Sequence, residues 1–90
     1  SCFTIYYVDN QNDNYYRFGL SIGKKVGKAF LRNKIKRQLR EIIYKHKSLY
    51  KNGEEYIIII KKEINDVSFS QLDDLFLNVI NKLKGNNNVQ

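Results

Sequence analysis

Apolar and polar positions change period several times along this chain, and each change marks a new element. Residues 2–8 (CFTIYYV) are aromatic and β-branched and predict a strand. The polar run DNQNDN at 9–14 predicts a turn, because Asn and Asp bond to their own backbone and tolerate left-handed geometry. Residues 15–22 (YYRFGLSI) read as a second strand, so the three pieces together predict a hairpin. Both faces of the first strand carry aromatics, with Phe3, Ile5 and Tyr7 on one and Thr4, Tyr6 and Val8 on the other. Either both faces are covered or one of them is a binding face.

After the loop Gly23-Lys24-Lys25-Val26-Gly27-Lys28 the period becomes helical. At about 100° per residue, Leu31, Ile35, Leu39, Ile42 and Ile43 fall within about 120° of arc. Arg32, Lys36, Arg40 and Lys47 lie at about 100–180°, and Asn33, Arg37 and Tyr44 at about 200–240°. One helix thus carries an apolar stripe for a sheet and a broad arc of cations. Phe30 lies off the stripe and is expected to pack against a neighbouring loop or strand. Lys51-Asn52-Gly53 predicts a turn, and residues 56–61 (YIIIIK) predict a central strand buried on both faces. Ser68 or Ser70 is a cap for a last helix over roughly 71–84, where Leu72, Leu75, Phe76, Val79, Ile80 and Leu83 recur at helical spacing. Residues 85–90 (GNNNVQ) read as a polar tail. The order β-β-α-β-α predicts one α+β domain over 1–84, a two-layer sandwich with helices covering a small sheet.

Charge sharpens this picture. Residues 17–51 hold twelve Lys/Arg and one acid, Glu41, a net +11, while the remainder has four basic and eight acidic residues within an overall +7. A basic field confined to one stretch implies a polyanionic partner. With 42% hydrophobic and 13% aromatic residues, the chain is a folded protein rather than a disordered basic tail. Its single cysteine, Cys2, cannot form an internal disulfide, which suits a reducing, cytoplasmic setting. No apolar run reaches membrane-spanning length and no signal peptide is legible, so a soluble protein is expected. The chain has no methionine and opens at Ser1 directly into a strand-like run, which reads as a fragment or a processed product.

The chemistry on offer is binding rather than bond cleavage. His46, the only histidine, sits between Lys45 and Lys47 and reads as a solvated helix end. Asp73 and Asp74 are adjacent on a helix, where side chains diverge, and read as a solvated acidic face. Cys2 and His46 have no motif partners for zinc or nucleophilic chemistry. Gly23, Gly27 and Lys28 miss the phosphate-loop spacing by one residue, and Ala29 stands where a Ser or Thr is needed. Phosphate recognition without hydrolysis fits better. The lysine-rich loop leads into a helix N-terminus, where free N–H groups and the macrodipole favour an anion. Arg32, Lys36 and Arg40 continue a line of cations along one helix flank, with Arg37 and Asn33 beside it. Arginine adds a planar fork that can grip a phosphate through two bonds. A merely solvated helix face would mix signs, and this one has only Glu41.

Arg17-Phe18-Gly19-Leu20-Ser21-Ile22, Lys24-Lys25-Val26-Gly27-Lys28-Ala29, Arg32-Asn33-Lys34-Ile35-Lys36-Arg37 and Leu39-Arg40-Glu41 closely resemble the signature of the bacterial ribonuclease P protein subunit. That family is marked by an Arg-Asn-Arg helix after a strand ending in Ser-x-x-Lys-Lys. Weaker similarity extends from about residue 3 to residue 84. The resemblance implies a ribonucleoprotein endoribonuclease that removes the 5′ leader of precursor tRNA, in which the catalytic component is an RNA. The protein would bind that RNA through Lys24, Lys25, Lys28, Arg32, Asn33, Lys34, Lys36, Arg37 and Arg40. It would bind the leader in a cleft on the sheet through Thr4 and Tyr6, and would raise the affinity for Mg²⁺ held by the RNA. It also implies a left-handed β-α-β crossover, against the general rule. In this sequence Lys34 replaces the motif's second Arg, keeping charge but losing the fork. The family's N-terminal helix, an aromatic wall of the leader cleft, has no counterpart in these residues, and Glu63 stands where a proline is common. A ribosomal or other structural RNA-binding protein is the main alternative. A DNA-binding domain reading bases with residues 32–40 is a third, disfavoured because the flanking strands do not resemble a helix-turn-helix.

Overall fold

The computed structural model describes residues 2–9 and 14–88, without the side chains of residues 85–88. Three strands, β1 (Phe3–Asp9), β2 (Arg17–Ile22) and β3 (Glu54–Ile60), and two helices, α1 (Ala29–Lys45) and α2 (Phe69–Asn88), follow the order β-β-α-β-α. Short 3₁₀ turns at Lys24–Val26, Lys47–Leu49 and Lys62–Asp66 join them. The predicted α+β class is thus observed. Most of the predicted turn at 9–14 lies outside the described residues.

The hairpin expected between β1 and β2 does not form. The sheet order is β1-β3-β2, with the last strand in sequence at the centre. β3 runs antiparallel to β1, pairing Phe3 with Ile60 and Asp9 with Glu54, and parallel to β2, pairing Arg17 with Glu55 and Ile22 with Ile60. Had β1 and β2 paired directly, the four-isoleucine strand would have been left on an edge. An apolar edge strand is an aggregation hazard, and the central position removes it. Chain proximity loses to the placement of the most apolar strand.

Period 2 along each strand splits the sheet into two unlike faces. Phe3, Ile5, Tyr56, Ile58 and Ile60 are buried on the inner face, where Phe18, Leu20 and Ile22 also pack. Against them lie Ile35, Leu39, Ile42 and Ile43 of α1 and Leu72, Phe76 and Ile80 of α2, all buried. The apolar stripe predicted for α1 is therefore its core face, with Leu31 half-buried at one end. The expectation that β3 is buried on both faces is corrected: Ile57 is 45% exposed and Ile59 is also exposed. The unbroken isoleucine run hid an alternation that the burial pattern reveals. Phe30 likewise does not find the packing expected of it and is 74% exposed at the start of α1.

Local chemistry fixes the helix ends. Between the two candidate caps, Ser68 is the one used. Its Oγ accepts a hydrogen bond from the Gln71 N–H (3.1 Å), while the Gln71 Oε1 accepts one from the Ser68 N–H (2.8 Å). This reciprocal pair is a capping box, and it starts α2 earlier than the hydrophobic repeat alone suggested. Ser68→Ala should cost about 1 kcal/mol of stability, measured as a lower urea midpoint with an unchanged slope. At the other end α2 runs to Asn88, through the first part of the stretch read as a tail.

His46 is not a solvated helix end. Its side chain is 16% exposed, its Nε2 lies 2.7 Å from Asp73 Oδ1, and its ring stacks near Phe76 at 6.3 Å. Lys45 Nζ donates to the other oxygen of Asp73. These two bonds, Lys45 first, hold the Asp73 carboxyl below its ordinary range. Asp73 thereby bolts the C-terminal end of α1 to α2, whereas Asp74 remains exposed as expected.

Candidate nucleic-acid interface

The sequence-predicted residues fall into three places. The first is the outward surface of α1. Asn33, Lys34, Arg37 and Arg40 are exposed, and Arg32 and Lys36 are half-buried. α1 has no acid in its first turn and no side-chain cap, so its opening N–H groups add to the positive field. Arg32 is anchored at the loop–helix junction, where its Nε donates to the Gly27 carbonyl at 3.1 Å. Gly27 itself has φ 158°, and a Cβ there would come within 2.5 Å of a Leu31 methyl. The glycine therefore lets the loop close tightly against the helix it feeds. Among the described residues, none of Lys24, Lys25, Lys28, Arg32, Lys34, Lys36, Arg37 and Arg40 pairs with a carboxylate. The charge of the arc is left for an external partner.

Lys34 sits apart from the rest of the arc. It lines a groove on the opposite flank of α1 with Gln38, Asn65 and Ser68, whereas Lys36 and Arg40 flank β2. Helical phase explains this, since one residue's step of about 100° carries a side chain off the line.

The second place is the strand ends. Gly23, Lys24, Lys25 and Val26 follow β2, and Lys61, Lys62 and Glu63 follow β3; together with Ile60 they enclose a hollow of about 570 Å³. Asn65 Nδ2 donates to the Val26 carbonyl at 2.8 Å and ties the two loops together. Four lysines thus converge where the sequence suggested two. Lys61 and Lys62 were missed because the parallel pairing of β2 with β3 brings their loops side by side, and that pairing is not visible in the sequence.

The third place is the open face of the sheet. Thr4 and Tyr6 lie there, and Tyr6 is 56% exposed. Register aligns Thr4 with Ile59 and Ser21, and Tyr6 with Ile57 and Gly19. The result is a shallow apolar surface with a hydroxyl at Thr4 and at Ser21 and a phenol at Tyr6. Ile57 and Ile59 escape the sequence because an unbroken isoleucine run conceals which of its members face outward, and Ser21 joins them only through the pairing of β2 with β3. The α1 arc and this face lie on opposite sides of the sheet, and the strand-end lysines join them.

Burial pushes the Cys2 thiol above its ordinary range, which makes it a poor nucleophile. Among the described residues no three His, Cys, Asp or Glu side chains gather as a metal cage, and no helix is long and apolar enough to cross a membrane.

Fold and site together define a small α+β protein whose helix-covered sheet carries one strongly cationic flank. A sequence model of the ribonuclease P family matches residues 1–84, and the chain belongs to that family. The ribonuclease P protein component of Mycoplasma capricolum is 37% identical over 84 residues, which span 92% of this chain and 76% of the relative. That of Phytoplasma australiense is 41% identical over 83 residues, 92% of this chain and 72% of the relative. Among solved structures, the Staphylococcus aureus ribonuclease P protein superposes with a TM-score of 0.83 at 34% identity, covering 92% of this chain and 75% of that one. The Thermotoga maritima protein does so with a TM-score of 0.78 at 32% identity, covering 90% and 76%. Membership makes this chain a protein component of ribonuclease P, an enzyme of tRNA processing, and sets aside the ribosomal and DNA-binding alternatives.

Proposed function

We propose that the chain binds the catalytic RNA of ribonuclease P through the α1 arc and its loop, and the 5′ leader of precursor tRNA on the open face of the sheet. The observation that carries this reading is the set of Lys and Arg side chains on α1 and its loop that have no carboxylate partner among the described residues. Phosphates of a folded RNA are the polyanion that an arginine-bearing helix flank of this length engages. Lys24, Lys25, Lys28, Arg32, Asn33, Lys34, Lys36, Arg37 and Arg40 are the contacts on that side, with Lys61 and Lys62 joining them at the strand ends.

The leader is single-stranded, and an exposed tyrosine beside isoleucines suits it. A phenol ring stacks on an unpaired base without sequence preference, and the apolar floor tolerates any base. Thr4 and Tyr6 are the assigned leader contacts. The reaction's Mg²⁺ would be held by RNA oxygens, because a hard cation takes oxygen ligands and phosphates supply them. The protein's part is to neutralise phosphates and hold the RNA so that those sites form at lower Mg²⁺. A cytoplasmic ribonucleoprotein is the setting this implies.

Cleavage of precursor tRNA by the catalytic RNA at limiting Mg²⁺ tests the reading, with the protein expected to restore cleavage. No stimulation at saturating protein would remove it. Within that assay, Tyr6→Ala should weaken binding of leader-bearing precursor by about tenfold and leave mature tRNA unchanged. Equal losses for both RNAs would show that Tyr6 does not read the leader.

A further inference from the structure

We propose that the hollow between β2 and the cationic flank of α1 takes one unpaired nucleotide of the RNA partner, base inward and phosphate outward. This rests on the reading that the α1 face binds RNA, and adds to it a contact made by stacking rather than by charge. The hollow measures about 240 Å³, just under the roughly 300–1,000 Å³ of pockets that take whole drug-sized ligands. That is the scale of one nucleobase and far below that of a folded partner's helix.

Its lining has the chemistry of a base site. Phe18, Leu20 and Ile43 supply apolar surface, and Tyr16 and Tyr44 supply rings. The rings are set in place beforehand. Phe18 stacks on Tyr56 at 4.6 Å and meets Tyr50 at 4.8 Å, while Tyr16 meets Tyr50 at 5.0 Å. Little ordering remains to be done when a base enters, so stacking is retained as affinity. Tyr44, by contrast, is 66% exposed, with Lys47 Nζ at 4.3 Å from its ring centroid. An exposed ring beside a cation is the pairing that single-stranded nucleic-acid grooves use.

Charge selects the occupant. Lys36 and Arg40 also line the hollow, and no carboxylate does. A neutral apolar peptide would leave both cations unanswered, whereas a nucleotide brings its own phosphate to them.

Two measurements on the full chain test the proposal. In the first, the ring resonances of Tyr16, Phe18 and Tyr44 are followed by NMR during titration with adenosine 5′-monophosphate and, separately, with ribose 5-phosphate. The nucleotide should shift all three rings saturably, and the sugar phosphate should disturb only the side chains of Lys36 and Arg40. Identical effects of the two probes, or nucleotide shifts confined to other residues, would overturn the pocket.

The second measures binding of Tyr44→Ala to the catalytic RNA across a salt series. The exposed position spares the core, and affinity should fall about tenfold with the log–log salt slope unchanged. A wild-type affinity overturns the pocket while leaving the RNA-binding reading intact. A reduced slope assigns the loss to charge and overturns stacking. If the wild-type protein fails to bind the RNA at all, both readings fall.

Discussion

Replacing Arg32 and Arg37 by alanine should flatten the salt dependence of binding to the catalytic RNA. Each phosphate that is no longer neutralised lowers the log–log slope by roughly 0.7 to 0.9, and at 0.1 M salt this is about a five- to eightfold weakening of affinity per phosphate. The double variant should show both increments, because Arg37 is exposed on the outer arc and Arg32 is anchored at the helix start. Arg32→Lys and Arg37→Lys are the informative controls. Charge is kept, so the slope should survive, while the loss of the planar fork weakens binding at every salt concentration. Alanine variants that retain the wild-type slope would show that the arc does not touch phosphate.

Glu54→Ala should produce the largest loss of stability, about 3 kcal/mol or more. Glu54 is 6% exposed at the start of β3, and four groups converge on its carboxylate. Lys84 Nζ donates to both oxygens at 2.8 Å, the Tyr56 hydroxyl at 2.9 Å, the Tyr7 hydroxyl at 3.1 Å and the Lys51 backbone N–H at 2.8 Å. Removing the acid leaves an ammonium and two phenols without their acceptor in a half-buried place. Burial pushes the carboxyl's pKa up, but the bonds from Lys84, the Lys51 N–H and Tyr56, with the charge of Lys84, outweigh it and leave the value below ordinary. A depressed folded-state value means the stabilisation is complete above the unfolded value, about 4.3. It is lost as pH falls from there through the lower folded value. Urea titrations of wild type and Glu54→Gln should therefore converge in strongly acidic buffer and separate near neutrality. A constant gap across that range would show that the carboxylate's charge is not what stabilises β3 against α2.

Much of this was legible in the chain. The α1 stripe of Ile35, Leu39, Ile42 and Ile43 could be read because a helix shows its period over several turns, and the charge arc came with it. Thr4 and Tyr6 lie on the open face of the sheet, Thr4 half-buried and Tyr6 exposed, and the leader experiment tests what they bind. Pairing was the part that resisted. Nothing local distinguishes β1-β2 adjacency from β1-β3-β2 order, because the choice is made by where the most apolar strand avoids an edge. The same blindness hid Lys61 and Lys62, whose nearness to Lys24 and Lys25 exists only once β2 and β3 lie parallel. Alternation along β3 was masked by composition, since four isoleucines look alike whether they face a helix or water. His46 misled for a different reason: its lysine neighbours in sequence are outweighed by Asp73 and Phe76, which arrive from another helix.

The central place of β3 also governs when this protein can exist as a folded object. Phe3 waits for Ile60, and Arg17 waits for Glu55, before either outer strand has a ladder partner. Closing loops of that size before any reward makes assembly slow relative to helix formation. During synthesis, the stretch bearing the whole recognisable signature emerges with no sheet to lie on. Until Ile60 clears the ribosome, the cationic helix is an amphipathic segment in search of its floor. The stretch that names the family supplies β2 and α1, and the strand that completes their sheet arrives after both.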